Sequence, residues 1–216
     1  MSTPTPAVYS DDDINIFSLE HQMYLLNVCG AHTTWAYEYP NNITLTGLST
    51  LRCDAQILGT VNSGRWRWAW SDPRLPSSAS RSAHTVRETS TDPRMLQPVV
   101  ALDGVRDAER LAALTKPLTG RWTTFAFTPR PGWTVYAALS HPLLVLPEPN
   151  ELTTAQTLAA AVEVVTNIHH AVDAYASLRG LHALHSADTV AVGRDGWRVT
   201  VHAGTPRPTI HVESPS

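Results

Sequence analysis

The chain has 216 residues, 43% of them apolar, and a net charge of −3 with histidine counted neutral. That is enough apolar material for one large domain or two small ones, and the charge is too small for an acidic tail or a polyanion-binding surface. Two cysteines, Cys29 and Cys53, are too few for a disulfide-framed secreted domain and read as reduced core residues.

Residues 1–10 are rich in Pro, Ser and Thr and read as a disordered tail without a leader pattern. Ser10 followed by Asp11, Asp12 and Asp13 is a helix start, because the hydroxyl accepts from a free N–H and carboxylates suit the positive end of the helix dipole. Ile14, Phe17, Tyr24, Leu25 and Val28 continue at helical spacing, and Gly30 suits the C-terminal cap. Short strands follow. Trp35, Tyr37 and Tyr39 share a face, Pro40-Asn41-Asn42 is turn chemistry, and Ile43 and Leu45 alternate with threonines.

The central feature is a hairpin. Trp66, Trp68 and Trp70 recur at every second position, which in a strand forms one stripe, with Arg65 and Arg67 on the opposite face. A two-residue turn at Ser63-Gly64 pairs Asn62 with Arg65, Val61 with Trp66, Gly59 with Trp68 and Ile57 with Trp70. The glycine leaves an indole room to lie across its neighbour strand. The stripe reads first as core. Its alternative role is a binding surface of Trp66, Trp68 and Trp70.

Pro73 and Pro76 break the sheet, and short helices are expected over 80–88 and 105–114. Two strands flank the turn Pro129-Arg130-Pro131-Gly132. Ala155 to Leu178 reads as one long helix capped by Thr153 or Thr154. Leu158, Val162, Val165 and Val172 line one side and Ala161, Val164, Ile168 and Ala171 the other. A helix apolar on two sides needs two partners, and this predicts a homodimer. A hairpin over 189–202 and an edge strand over 209–212 complete the chain.

Ten histidines raise the question of a metal. His169 and His170 are adjacent and diverge in a helix. His182 and His185 align only if they occupy a helical turn, and no carboxylate or cysteine flanks them in a ligand pattern, so neither metal nor cofactor is expected. Cys29 and His32 lack an oxyanion-hole signature. Glu38, Asp54, Asp72 and Glu88 are the carboxylates from which acid–base chemistry would have to be assembled.

The segment Gln56-Ile57-Leu58-Gly59-Thr60 with Trp66-x-Trp68-Ala69-Trp70 resembles a bacterial family of unknown function, whose members show a Leu-Gly-Thr/Ser turn and a Trp-x-Trp-Ala-Trp strand. The resemblance covers residues 15 to 140 and implies an Arg-rich helix next, here Arg81 to Arg87. It departs at Asp72, where the family has Asn, and it brings no catalytic residues.

The expected fold is α+β: an antiparallel sheet of hairpins with helices packed on one face, over a domain of residues 11–145, with the helix and hairpin of 150–216 on the same core. The expected function is a cytoplasmic, non-catalytic binding or interaction protein with a protein partner, and no nucleic acid or membrane. The alternative is a small-molecule enzyme or ligand-binding protein with a pocket lined by Trp, Tyr and His.

Overall fold

The computed structural model describes residues 9–194, 196–202 and 209–213. The expected tail over 1–10 lies outside these residues up to position 8. The fold is α+β, and every described strand pairing is antiparallel. The chain divides into two compact units. One holds residues 24–145 with the segment ending at Tyr9, the other residues 10–23 and 146–216. Each has its own apolar core.

Helix α1 (Asp11–Cys29) begins as the acidic run predicts. Ser10 Oγ accepts from Asp13 N at 3.4 Å, and Asp13 Oδ2 accepts from Ser10 N at 2.6 Å, a reciprocal cap. Gly30, at φ +86°, ends the helix by donating its N–H to Leu26 O.

The first unit is built on β1 (Thr34–Glu38), β2 (Asn42–Thr46), β3 (Thr50–Asn62) and β4 (Arg65–Trp68). Then come α2 (Ser77–Thr89), α3 (Pro93–Leu96), β5 (Val99–Ala101), α4 (Val105–Leu114), α5 (Lys116–Thr119), β6 (Thr123–Arg130) and β7 (Trp133–Ser140). The sheet runs β1-β2-β3, and β3 then lies between β4 and β7 over residues 59–62, because both pair with that stretch. β6 adds to β7, and β5 to β4.

Register fixes one continuous inner face. Tyr37 pairs with Ile43 and Ile43 with Cys53, while Ile57 pairs with Ala137 and Ala137 with Phe125. These residues, with Leu25, Cys29, Leu45 and Leu51, form the inner core. A shift of register at Leu58 then transfers the alternation to the outer face. Gly59 beyond it pairs with Trp68 and Tyr136, and the Trp66 ring lies 5.2 Å from Trp68 and 5.1 Å from Tyr136. The Leu-Gly-Thr segment therefore lies in a strand as a bulge, and is not a turn. Helix α2 covers β3 on this side, where Gln56 Nε2 donates to Ser78 O at 2.9 Å.

The Ser63-Gly64 turn has positive φ at both positions, 49° and 69°, as a primed hairpin turn requires. Asn62 meets Arg65, Val61 meets Trp66 and Gly59 meets Trp68. The pairing of Ile57 with Trp70 does not occur, because Ala69–Ser71 turns into a short 3-10 segment. The ring that uses the space at Gly59 belongs to Trp66: a Cβ on Gly59 would lie 2.4 Å from its Cε2. Gly59→Ala is thus expected to force ring or backbone apart and cost about 1–3 kcal/mol in urea unfolding, as overpacking does. An unchanged midpoint would show that the ring shifts freely.

The second unit comprises the first part of α1, α6 (Glu151–Ala161), α7 (Ile168–Arg179) and the sheet β8 (His182–His185), β9 (Thr189–Arg194), β10 (Trp197–His202), β11 (Thr209–Glu213), in the order β11-β10-β9-β8. The long helix expected over 155–178 is broken at 162–167. Val162, Val164, Val165 and Thr166 are β-branched and hold helix poorly. Asn167 instead caps α7, its side chain accepting from His170 N at 3.2 Å, while Asp12 takes the Thr166 and Asn167 N–H groups at 2.9 and 2.8 Å. The cap of α6 is Asn150, not Thr153 or Thr154. Leu158, Ala161, Ala171 and Val172 are buried, whereas Val164 is 59% exposed. The two-sided helix that predicted a dimer is therefore absent. Its core also holds a buried Glu20–Arg179 ion pair at 3.1 Å beside Tyr175, and burial raises the Glu20 carboxyl above the usual range against the pull of Arg179.

Candidate binding face

Five strands at a spacing of about 4.8 Å would set the outer two roughly 19 Å apart in a flat sheet. Across β1-β2-β3-β7-β6 that is not what the rings report: Trp35 of β1 lies 4.7 Å from Phe127 of β6, and Tyr37 lies 6.0 Å from the same ring. The sheet is therefore curled until its edge side chains meet. Phe125 stacks on Phe127 at 6.2 Å, and the Arg130 guanidinium lies 4.5 Å over Trp133.

The result is an aromatic seam of Trp35, Tyr37, Phe125, Phe127 and Trp133. Phe127 is buried and the other four are half-buried. The Tyr37 hydroxyl donates to Pro40 O, and burial pushes its ionisation up. Among the described residues β1 pairs only with β2 and β6 only with β7, so each is an edge strand beside the rings. Sequence reasoning saw Trp35 and Tyr37 alternate but could not see them meet β6. The period-two pair Phe125 and Phe127 was the available signal.

The tryptophans singled out in the sequence lie elsewhere. Trp66 and Trp68 are 0% exposed, and Trp68 Nε1 donates to Arg94 O at 2.8 Å. Trp70 is half-buried under the Arg87 guanidinium, 4.3 Å above its ring.

Three of the four candidate carboxylates, Glu38, Asp54 and Asp72, are held by basic or polar partners. Asp54 accepts from Arg121 Nη2 at 2.5 Å and Asn41 Nδ2 at 2.9 Å. Glu38 accepts from Thr44 and Arg52, and these bonds hold its carboxyl below the usual range. Asp72 accepts from the Arg74 side chain and backbone, with the same effect. Glu88 is exposed on α2. A cleft of about 310 Å³, part of it open to solvent, is lined by Tyr9, Asp92, Met95 and Leu118 among others; the Asp92 carboxyl is lowered by its bonds to Arg94. Carboxylates fixed in this way serve structure better than proton transfer. Cys29 and Cys53 are free and buried, and burial pushes the Cys53 thiol up to about 11 and the Cys29 thiol in the same direction, so neither is an activated nucleophile. His32 is exposed.

In the second unit His182 and His185 are not on a helical turn. They open and close strand β8, three residues apart, and so face opposite ways. His185 instead meets two residues of α7, Asp173 and His169, and His170 bonds Asp13 at 2.7 Å. Among the described residues no group of three or more His, Cys, Asp or Glu side chains is arranged to hold a metal ion, and no helix is long and apolar enough to cross a membrane.

No curated protein and no solved structure matches the chain. A family model does, over residues 11–142, a stretch that runs from α1 through the Trp hairpin to the last strand of the aromatic seam. By that match the chain belongs to the family of unknown function DUF6882.

Proposed function

We propose that this is a non-catalytic binding protein whose contact surface is the aromatic seam between β1 and β6, and whose ligand is an extended peptide segment of a protein partner. The observation that carries this reading is the coincidence of two strand edges with half-exposed Trp, Tyr and Phe rings. An added strand takes its affinity from main-chain bonds and its specificity from alternate side chains, and aromatic rings are the residues on which interface energy concentrates. A second copy of the chain is one partner of this kind, now through strand edges and not through a long helix. Two buried free thiols fit a reducing compartment such as the cytoplasm. The enzyme reading draws less support, since the carboxylates Glu38, Asp54, Asp72 and Asp92 are engaged by basic side chains.

Selection from a random-peptide display library tests the proposal. Enriched sequences are expected to be extended and apolar. Their binding is expected to fall at least tenfold in Trp35→Ala and in Ala36→Lys, which sets a charge on an exposed position of β1. Ala36 is exposed in the parent, so its variant should keep the parent melting midpoint. No enrichment, or binding unchanged in both variants, contradicts the reading.

A further inference from the structure

The second unit carries a side-chain cluster that the seam does not involve. His169 and Asp173 lie four residues apart on α7 and so share a helix face. His185, on β8, reaches both: its Nε2 is 2.7 Å from Asp173 Oδ1, and its Nδ1 is 3.2 Å from His169 Nδ1. The ring centroids are 5.4 Å apart, so the imidazoles approach through their Nδ1 edges and not through their faces. The Asp173 and His185 side chains are 50% and 42% exposed.

We propose that His169 and His185 form a two-imidazole site for a first-row divalent cation of the zinc type, with Asp173 as the outer carboxylate that orients His185. Bonds from imidazole nitrogen to zinc are about 2.0–2.1 Å, so two such nitrogens on a tetrahedral ion lie about 3.3 Å apart. The observed 3.2 Å matches that edge in length; the centroid spacing sets the two Nδ1 atoms nearly head-on, so both rings turn to bring their lone pairs onto the ion. Asp173 fixes the tautomer. A carboxylate accepts, so neutral His185 carries its proton on Nε2 and keeps a lone pair on Nδ1, aimed at His169. Without a cation, His169 fills that position by donating Nδ1–H. With one, His169 carries its proton on the other nitrogen, both Nδ1 lone pairs face the ion, and water completes the coordination. A carboxylate on the far nitrogen of a ligating histidine is the usual outer partner of such sites. With two protein ligands the site is exchangeable, unlike a closed structural zinc centre.

Titration calorimetry of the untagged full chain with Zn²⁺ near neutral pH tests this. The expected result is about one Zn²⁺ per chain, with affinity at least tenfold weaker in His169→Ala and in His185→Ala. Asp173→Asn should weaken binding about tenfold, since loss of an outer partner costs roughly 10–100-fold. His211→Ala is the control, because His211 and His202 form a separate ring pair 4.8 Å apart. Metal-free melting midpoints show whether each variant is folded, and all four positions are at or near the surface. Absence of saturable Zn²⁺ binding, or binding that survives His169→Ala and His185→Ala, or binding lost only in His211→Ala, would overturn the proposal and leave the pair a hydrogen bond alone.

Discussion

Trp68→Ala is expected to lower the unfolding free energy by about 3–5 kcal/mol, the range found when a large aromatic side chain is cut back in a closed core. The indole is 0% exposed, touches the Trp66 ring at 5.2 Å, and donates to Arg94 O at 2.8 Å. Truncation removes the ring, leaves a cavity beside Gly59 and Trp66, and leaves a carbonyl without its donor. Trp68→Phe keeps most of the apolar volume and loses the donor, so it should cost less, about 1–3 kcal/mol. Urea unfolding of both variants at one pH checks the order. A Trp68→Ala protein with the parent midpoint would mean that the indole is not a core residue.

The second large effect concerns Lys116, the only lysine of the chain. It is 1% exposed at the start of α5, and burial pushes its amine down to about 7 from 10.5. Between those two values the unfolded chain binds the proton and the folded chain does not, so stability rises with pH across the window. Below about 7 both states carry the charge, and the folded state bears the full cost of burying it. Above 10.5 neither state does, and the cost is gone. The drop corresponds to at most roughly 4–5 kcal/mol. Lys116→Met should therefore flatten the rise of stability between pH 7 and 10, measured as urea midpoints against the parent at each pH. Equal slopes in the two proteins would show that the amine is not the group that titrates.

Local chemistry carried much of the fold into the sequence. The Ser10 cap, the primed turn at Ser63-Gly64, and the pairing of Gly59 with Trp68 follow from side chains acting on neighbours within a few residues. The α+β class follows from the period-two strands between helical stretches. What was missed divides by cause. Trp70 left the stripe because the chain turned at Ala69, and nothing in Trp-x-Trp-Ala-Trp marks that turn. The broken helix was readable: a run of β-branched residues ending in Asn167 weakens one helix and caps the next. Helical spacing would align His182 and His185, whereas strand β8 sends them to opposite faces.

The seam was not legible for a different reason. Trp35 and Phe127 are 92 positions apart in the chain. They meet only because the sheet curls, and curl is a property of the assembled strands and of the bulge at Leu58, not of either segment. The same holds for His185, which reaches Asp173 and His169 across a strand and a helix.

The central claim, that the aromatic seam and not the buried Trp hairpin is the contact surface, is tested most directly by the indole N–H resonances of ¹⁵N-tryptophan-labelled protein titrated with a display-selected peptide. The account predicts that the Trp35 and Trp133 resonances move with saturation while those of Trp66 and Trp68 stay in place. Movement of Trp70 or Trp197 with Trp35 and Trp133 unchanged would contradict it.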